Sequence, residues 1–177
     1  MKIRKLQMKD APLMLEWMHD DSVSRYFRVD FSGKTVEDCL AFIAGAQDKE
    51  SVHLAIVDDR DEYMGTVSLK HIRENTAELG IVMRACAMGK GFAAYGLKKV
   101  MEYGREKYGI MTLYWCVDPE NRRALRFYEK QGFHRGDVPA RAEGYTDEEK
   151  SRLIWYVCDG RTVDDHHLEL SAGSSSC

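Results

Sequence analysis

The chain has 177 residues, of which 44% are hydrophobic and 31% are charged, and its formal net charge is -3. This length and apolar content suit one continuous hydrophobic core that needs neither a metal nor disulfide bonds. Charges of both signs are interspersed along the chain, so the basic surface of a dedicated nucleic-acid binder is not expected.

The predicted elements in the first half of the chain change from helical to extended. The order is a strand, a helix, a loop and a second helix, over residues 2–6, 10–18, 19–34 and 35–47. Asp10 is expected to cap the first helix, and Thr35 with Asp38 resembles a capping box for the second. The hydrophobic period then becomes two, which predicts an antiparallel meander of strands over residues 52–57, 63–72 and 76–84.

The second half alternates helices and strands. A helix, a buried strand, a helix, a polar loop and a last strand are predicted over residues 89–107, 111–117, 118–132, 136–150 and 152–158. Asp118 is expected to cap the second of these helices and Pro119 to occupy its first position, while Gly132 ends it. Another strand is expected to begin at Phe133.

These elements predict an α/β protein with a mixed sheet, in a single domain over residues 1–160. The polar residues 161–177 are expected to form a flexible tail, because they contain few large apolar side chains to repay the entropy of ordering. Adjacent acidic and histidine side chains at residues 164–167 are not expected to bind a metal on such a segment.

The sequence also predicts a soluble protein of the cytoplasm. No stretch of about 18 uncharged apolar residues occurs, and the N-terminal MKIRKLQMKD lacks the apolar segment of a secretion signal. Neither membrane insertion nor export is therefore expected. The five cysteines include no C-x-x-C pair, and an odd number is a poor disulfide framework, so reduced thiols are expected.

Three glycines and a lysine stand at the start of the predicted helix 89–107, in the stretch AMGKGFAAYG at 87–96. Free amides at a helix N-terminus, together with the positive end of the helix dipole, attract anions, and glycine lets a ligand approach the backbone. The spacing matches neither G-x-x-x-x-G-K-[ST] nor G-x-G-x-x-G. Phosphate or diphosphate is the expected ligand, and the alternative is a loop that only begins a core helix.

A second motif lies in VDPENRRALRFYEKQGF, residues 117–133. Four side chains fall at i, i+3, i+4 and i+7 and therefore share one helix face: Asn121, Ala124, Leu125 and Tyr128. The small Ala124 between two polar residues leaves a groove in which an extended ligand could lie. The alternative is that Tyr128 is a core residue whose hydroxyl reaches water.

Together, MGKGFA after one strand and N-x-x-A-x-x-F-Y-E-K-x-G-F after the next resemble the acetyl-CoA-dependent GNAT superfamily of N-acetyltransferases. The resemblance covers nearly the whole predicted domain. The opening IRKLQMKDAPLMLEWMHDDSVSRYF resembles the branch that contains ribosomal-protein N-terminal acetyltransferases and amino-sugar acetyltransferases. The resemblance implies a mostly antiparallel central sheet with one splayed parallel pair of strands, helices on both faces, acetyl-CoA as co-substrate and no metal.

The resemblance also implies where acetyl-CoA binds. The backbone amides of one loop would hold its diphosphate: Met88, Gly89, Lys90, Gly91, Phe92 and Ala93. Met88 stands where the family usually has Gln or Arg, and the Lys90 side chain is expected to face solvent. Contacts along the pantetheine arm and the thioester are implied for Ile81, Met83, Asn121 and Ala124.

Acetyl transfer to an amine needs a neutral amine, a polarised carbonyl and a protonated leaving thiolate. Tyr128 matches the family's tyrosine and is predicted to be the general acid. Glu78 is predicted to be the general base, because the family often has an acidic residue on this strand. The alternatives are a water-mediated base and an exposed Glu78 that only pairs with a lysine or arginine. Trp17, Tyr26 and Phe27 either line an acceptor pocket or pack the N-terminal helices.

The leading functional hypothesis is acetylation of the primary amine of a small molecule such as an amino sugar, by direct attack in a ternary complex. The second is acetylation of a peptide N-terminus. A non-catalytic acyl-CoA-binding module is the third, and Tyr128 and Glu78 count against it. The loops at 19–34 and 136–150 are expected to recognise the acceptor, but their mixed charges do not identify it. A monomer or homodimer is expected.

Overall fold

The computed structural model describes residues 1–46, 48–142 and 144–159. The chain forms two compact units, the first over residues 1–110 and the second from Met111 onward, and each is described by itself. The predicted tail at 161–177, with its acidic and histidine residues, lies outside the described residues, as does Glu143 of the predicted polar loop. The prediction of a single domain over residues 1–160 stays a prediction.

The first unit is built on an antiparallel meander, as predicted. Its strands are β1 (Lys2–Lys5), β2 (Val52–Val57), β3 (Tyr63–Arg73) and β4 (Thr76–Met83), and each pairs with the next. Their alternating hydrophobic residues account for the pairing, because one set of side chains faces each side of the sheet.

Helices cover both faces of this meander. They are α1 (Ala11–Met18), α2 (Asp21–Ser24), α3 (Val36–Ala44) and α4 (Phe92–Tyr108). Ala55 and Tyr63 pack with residues of α1 and α3 in one core cluster. On the opposite face, a Cβ built on Gly96 of α4 would lie 2.2 Å from Cδ1 of Ile56. The lack of a side chain at Gly96 therefore lets α4 approach the sheet closely.

One cap was predicted correctly and another was not. Thr35 and Asp38 form a full capping box at the start of α3. Asp10 precedes α1 but makes no side-chain cap, because its buried carboxylate accepts hydrogen bonds from the Arg4 guanidinium at 2.7 and 2.9 Å. Oδ2 of Asp10 also accepts a hydrogen bond from the Gln7 backbone amide at 2.8 Å, in the capping box of the short 3-10 helix Met8–Asp10, so the carboxylate serves an earlier helix end than the predicted one.

The second unit contains β5 (Thr112–Val117), α5 (Arg122–Lys130), α6 (Asp147–Arg152) and β6 (Ile154–Asp159) within the described residues. Strands β5 and β6 pair antiparallel, with Trp115 opposite Tyr156. The predicted strand at Phe133 is reduced to an isolated bridge between Arg135 and Tyr156. The short α6 begins within the predicted polar loop with a capping box, Thr146 with Glu149, and its last residue, Arg152, was predicted to begin the final strand.

The predicted start of the helix after β5 was wrong. Asp118 was expected to cap it, but α5 begins at Arg122 and Asn121 is its N-cap. The Asp118 carboxylate accepts a hydrogen bond from the Glu120 amide at 2.9 Å and pairs with Arg152. These contacts hold Asp118 in a turn that precedes the helix, so the segment that contains Pro119 is not helical.

Candidate functional site

The glycine loop follows β4 and leads into α4 in the first unit. A short 3-10 helix (Ala85–Ala87) comes first, and Gly89 and Gly91 then adopt positive φ angles of 74° and 85°. Both angles lie in the left-handed region that favours glycine. Gly91 is the N-cap of α4, and no side chain caps this helix. Its first backbone amides are therefore not taken by a side-chain cap.

The first four amides of a helix have no partner within it, which for α4 means Gly91 and residues 92–94. Throughout residues 1–46, 48–142 and 144–159, no protein group accepts a hydrogen bond from these amides or from that of Gly89. A Cβ on Gly89 would meet nothing within 4 Å, so the space beside the loop is open. This arrangement fits a diphosphate, which needs several donors on one side.

Two amides of the predicted set have internal partners. The Met88 amide donates to the Ala85 carbonyl at 3.2 Å, and the Lys90 amide donates to the Ala87 carbonyl at 3.4 Å. The tight turn that positions the glycines uses these two donors. Within the predicted set, the amides of Gly89, Gly91, Phe92 and Ala93 therefore have no protein acceptor in the described residues, and the Lys90 side chain is exposed. That these amides hold a diphosphate stays a prediction.

Strand β4 positions the two residues that the resemblance places along the pantetheine arm. The Arg84 amide donates to the Met64 carbonyl of β3 at 2.9 Å. Hydrogen-bonding direction alternates along a strand, so the main-chain groups of Met83 and Ile81 point away from β3. This orientation is the one that main-chain pairing with an extended ligand requires.

Glu78 lies on β4 opposite Lys70 of β3. Its side chain is only 6% exposed, and its Oε1 atom is 2.5 Å from the Lys70 ammonium nitrogen. Its Oε2 atom is 3.7 Å from Nε2 of His71. The alternative of an exposed cross-strand partner is therefore half right, because Glu78 does pair with a lysine across the strands but the carboxylate is buried.

Further polar side chains share the face of the sheet on which Glu78 lies. Nδ1 of His53 is 2.7 Å from Oγ of Ser68. Ser68 and Lys70 are two residues apart on β3, so their side chains point to the same face. Burial, and secondly the charge of Lys70, lower the pKa of His53 to about 4, so its imidazole is neutral at physiological pH. We call His53, Ser68, Lys70 and Glu78 the polar row. Ser68 and Lys70 were not predicted as site residues, although the alternation in TVSLK on an apolar strand indicates them.

Tyr128 lies on α5 in the second unit. It is 5% exposed, and its ring centroid is 5.0 Å from that of Trp115 and 5.3 Å from that of Tyr156. Burial raises the pKa of the phenol well above its usual value, with a smaller contribution from Tyr156. The hydroxyl therefore carries its proton at neutral pH, which is the state that a general acid needs.

Asn121 and Ala124 form the first turn of α5. The Asn121 side-chain oxygen accepts a hydrogen bond from the Ala124 amide at 3.1 Å, which fixes the carboxamide at the helix N-terminus. The side-chain NH₂ group of Asn121 is left as the donor for a ligand carbonyl. The prediction of a pantetheine contact at Asn121 thus involves its nitrogen, and it stays a prediction.

The aromatic residues near the N-terminus divide between the two predicted roles. Trp17 is buried in packing, whereas Phe27 is 41% exposed and lines an open cavity, and the Tyr26 ring contacts Arg25. Trp17 contacts Phe31 with ring centroids 5.2 Å apart, and its indole nitrogen donates to Oη of Tyr63 at 3.1 Å. Phe27 completes this aromatic cluster, with its ring 5.8 Å from Trp17. An open cavity of about 520 Å³ lies beside them, lined by residues between Met18 and Ser32.

Across the described part of the chain, no group of three or more His, Cys, Asp or Glu side chains could hold a metal ion. None of the helices in that part is both long and apolar enough to cross a membrane.

Comparison with known proteins identifies the family. The family model described as "Acetyltransferase (GNAT) domain" matches residues 1–134. Spermidine N(1)-acetyltransferase of Escherichia coli (strain K12) is 30% identical over 134 residues, which cover 75% of this chain and 72% of that protein. The uncharacterized N-acetyltransferase YnaD of Bacillus subtilis (strain 168) is 28% identical over 135 residues, 75% of this chain and 78% of that protein.

The fold agrees with this match. Spermidine N-acetyltransferase from Vibrio cholerae, solved in complex with CoA and spermine, superposes with a TM-score of 0.73 at 18% identity, over 90% of this chain and 95% of that one. The predicted α/β class and GNAT fold are confirmed. The chain belongs to the GNAT family of acetyltransferases and is an acetyl-CoA-dependent N-acetyltransferase that acts on amines.

Proposed function

We propose that the acceptor is a small aliphatic polyamine and that the amides of Gly89, Gly91 and residues 92–94 hold the diphosphate of acetyl-CoA. The open amides at the N-terminus of α4 are the observation that carries the binding of acetyl-CoA. Acetyl-CoA supplies the activated acetyl group as co-substrate. The acceptor class is supported by the spermidine acetyltransferases to which the chain is similar.

The polar row supports an alkylammonium acceptor. A buried carboxylate is unfavourable unless a cation and hydrogen bonds compensate it, and at Glu78 the compensating group is the primary ammonium of Lys70. The position of Glu78 is therefore already suited to a primary alkylammonium. Lys70 keeps 35% of its side chain exposed, so it can turn to solvent when an acceptor ammonium takes its place.

Glu78 and Tyr128 each carry out one proton transfer in the proposed reaction. Glu78 takes a proton from the acceptor ammonium, and the neutral nitrogen then forms the new C–N bond. The Ile81 amide donates to the developing oxyanion, an interaction that contributes about 3 kcal/mol in comparable sites. As the C–S bond breaks, Tyr128 gives its phenolic proton to the leaving sulfur. The nitrogen loses its second proton to solvent as the amide forms, and Tyr128 is reprotonated from solvent.

A thiol-release assay tests the acceptor class. Spermidine, glucosamine and a peptide with a free α-amine are compared at saturating acetyl-CoA. We expect kcat/KM for spermidine to exceed the others at least about tenfold, a difference of about 1.4 kcal/mol. Selective turnover of glucosamine or of the peptide would instead establish one of the two acceptors considered from the sequence. Binding of acetyl-CoA without turnover of these three amines would show that the acceptor belongs to another class of amine.

The role of Tyr128 has its own test. Tyr128→Phe keeps the ring in its aromatic cluster and removes only the proton donor, so kcat is expected to fall at least about 10²-fold while the Kd of acetyl-CoA in calorimetry is unchanged. Tyr156→Phe is the matched control, because Tyr156 is fully buried in the same cluster. Equal turnover of the two variants would contradict the assignment of Tyr128 as the acid.

A further inference from the structure

The connection between β3 and β4 has an unusual backbone beside Glu78. His71 has a positive φ of 52° and Glu74 one of 54°, and the strand register shifts between Lys70 and Arg73. A residue with a Cβ in this region is unfavourable by about 1–2 kcal/mol. Glycine would adopt the same backbone without that strain.

The irregular backbone brings two neighbouring residues to one carboxylate. In a regular strand, consecutive side chains point to opposite faces of the sheet. Here Lys70 contacts Oε1 of Glu78 at 2.5 Å, and Nε2 of His71 lies 3.7 Å from Oε2. The left-handed conformation of His71 therefore turns its imidazole back toward Glu78.

Exposure differs sharply between the two side chains. Glu78 is 6% exposed, whereas His71 is 61% exposed. A contact between a carboxylate and such an exposed histidine stabilises a protein by at most about 1 kcal/mol, which does not exceed the backbone strain. The contact with Glu78 therefore adds little to stability.

We propose that His71 carries the proton that Glu78 removes from the acceptor to solvent. This inference rests on the proposed role of Glu78 as the general base. Imidazole suits the task because one ring nitrogen accepts a proton while the other donates one. Lys70 cannot replace it, because an ammonium group has no acceptor.

The acceptor ammonium loses a proton to Oε2 of Glu78, and the neutral carboxyl group then gives that proton to Nε2 of the neutral His71. The imidazolium releases the proton from Nδ1 to water or buffer, which restores both side chains for the next cycle. The 3.7 Å separation exceeds a hydrogen bond, so a small rotation of either side chain or one bridging water completes the transfer.

The test is chemical rescue of His71→Asn. Asparagine tolerates the left-handed region, so the backbone is kept while the proton carrier is lost. At low buffer concentration, with saturating spermidine and acetyl-CoA, we expect kcat to fall at least about tenfold and the KM of spermidine to change less than about twofold. Added imidazole should restore kcat in a saturable manner. The matched control is His134→Asn, at another exposed histidine. Its kcat should equal that of the wild type and should not change when imidazole is added.

Two outcomes would overturn the relay. Either His71→Asn has wild-type kcat at low buffer, or it loses activity that imidazole does not restore although its melting temperature is that of the wild type. Glu78→Gln separates this from the base assignment. If Glu78→Gln is inactive and His71→Asn is unaffected, only the relay through His71 is contradicted. If Glu78→Gln turns over as the wild type does, the assignment of Glu78 as the base is contradicted.

Discussion

Replacement of Gly91 by alanine changes the backbone of the glycine loop without a steric clash. Gly91 has φ 85° and ψ -9°, and an added Cβ would meet only the end of the Met1 side chain, at 3.9 Å. The effect is therefore conformational. Placing an L-residue in this region is unfavourable by about 1–2 kcal/mol relative to glycine.

We expect this energy to appear in the binding of acetyl-CoA. Gly91 is exposed, and no protein group within the described residues accepts a hydrogen bond from its amide, so the alanine variant can leave the left-handed conformation in the free protein. Binding of the diphosphate must then restore that conformation. At about 1.4 kcal/mol per decade, 1–2 kcal/mol raises the Kd by about 5- to 30-fold.

Calorimetric titration with acetyl-CoA measures the change, and Gly109→Ala is the matched control. Gly109 ends the same helix with φ 64°, and an added Cβ there meets nothing within 4 Å. The Gly109→Ala variant should lose about 1–2 kcal/mol of stability in urea unfolding but bind acetyl-CoA with the wild-type Kd. The reasoning is refuted if Gly91→Ala binds acetyl-CoA as tightly as Gly109→Ala, or if both variants lose affinity equally.

Two further predictions concern stability. Because the folded protein lowers the pKa of His53 from 6.5 to about 4, the unfolded chain binds the extra proton between these values, and stability should fall as the pH falls through this window. The loss is at most about 3 kcal/mol in urea unfolding, and His53→Asn should flatten the profile; an unchanged slope would contradict a buried neutral imidazole. Gly96→Val places atoms against Ile56 in the core and should destabilise the protein by about 1–3 kcal/mol in thermal unfolding, whereas Gly33→Val, with open space, should change little.

Local pattern was sufficient for most of the framework. The period-two runs in the first half predict β2, β3 and β4 because alternation directly records which side chains are buried. The glycine loop could also be predicted, since only glycine readily adopts the backbone that Gly89 and Gly91 have. Together with the tyrosine helix, these motifs were enough to indicate the family that the comparisons confirm.

The chain by itself thus determined most of the strands and helices and the glycine-rich turn before α4, because each depends on residues close together in sequence. Only the tertiary structure decided which partners the charged side chains have. Asp10 pairs with Arg4 and completes the capping box of the 3-10 helix Met8–Asp10 instead of capping α1, and Glu78 meets Lys70 and His71 through strand register and a left-handed residue. Such contacts depend on which distant groups are buried together, and the free energy of a charge depends on that shared environment, which no local pattern records.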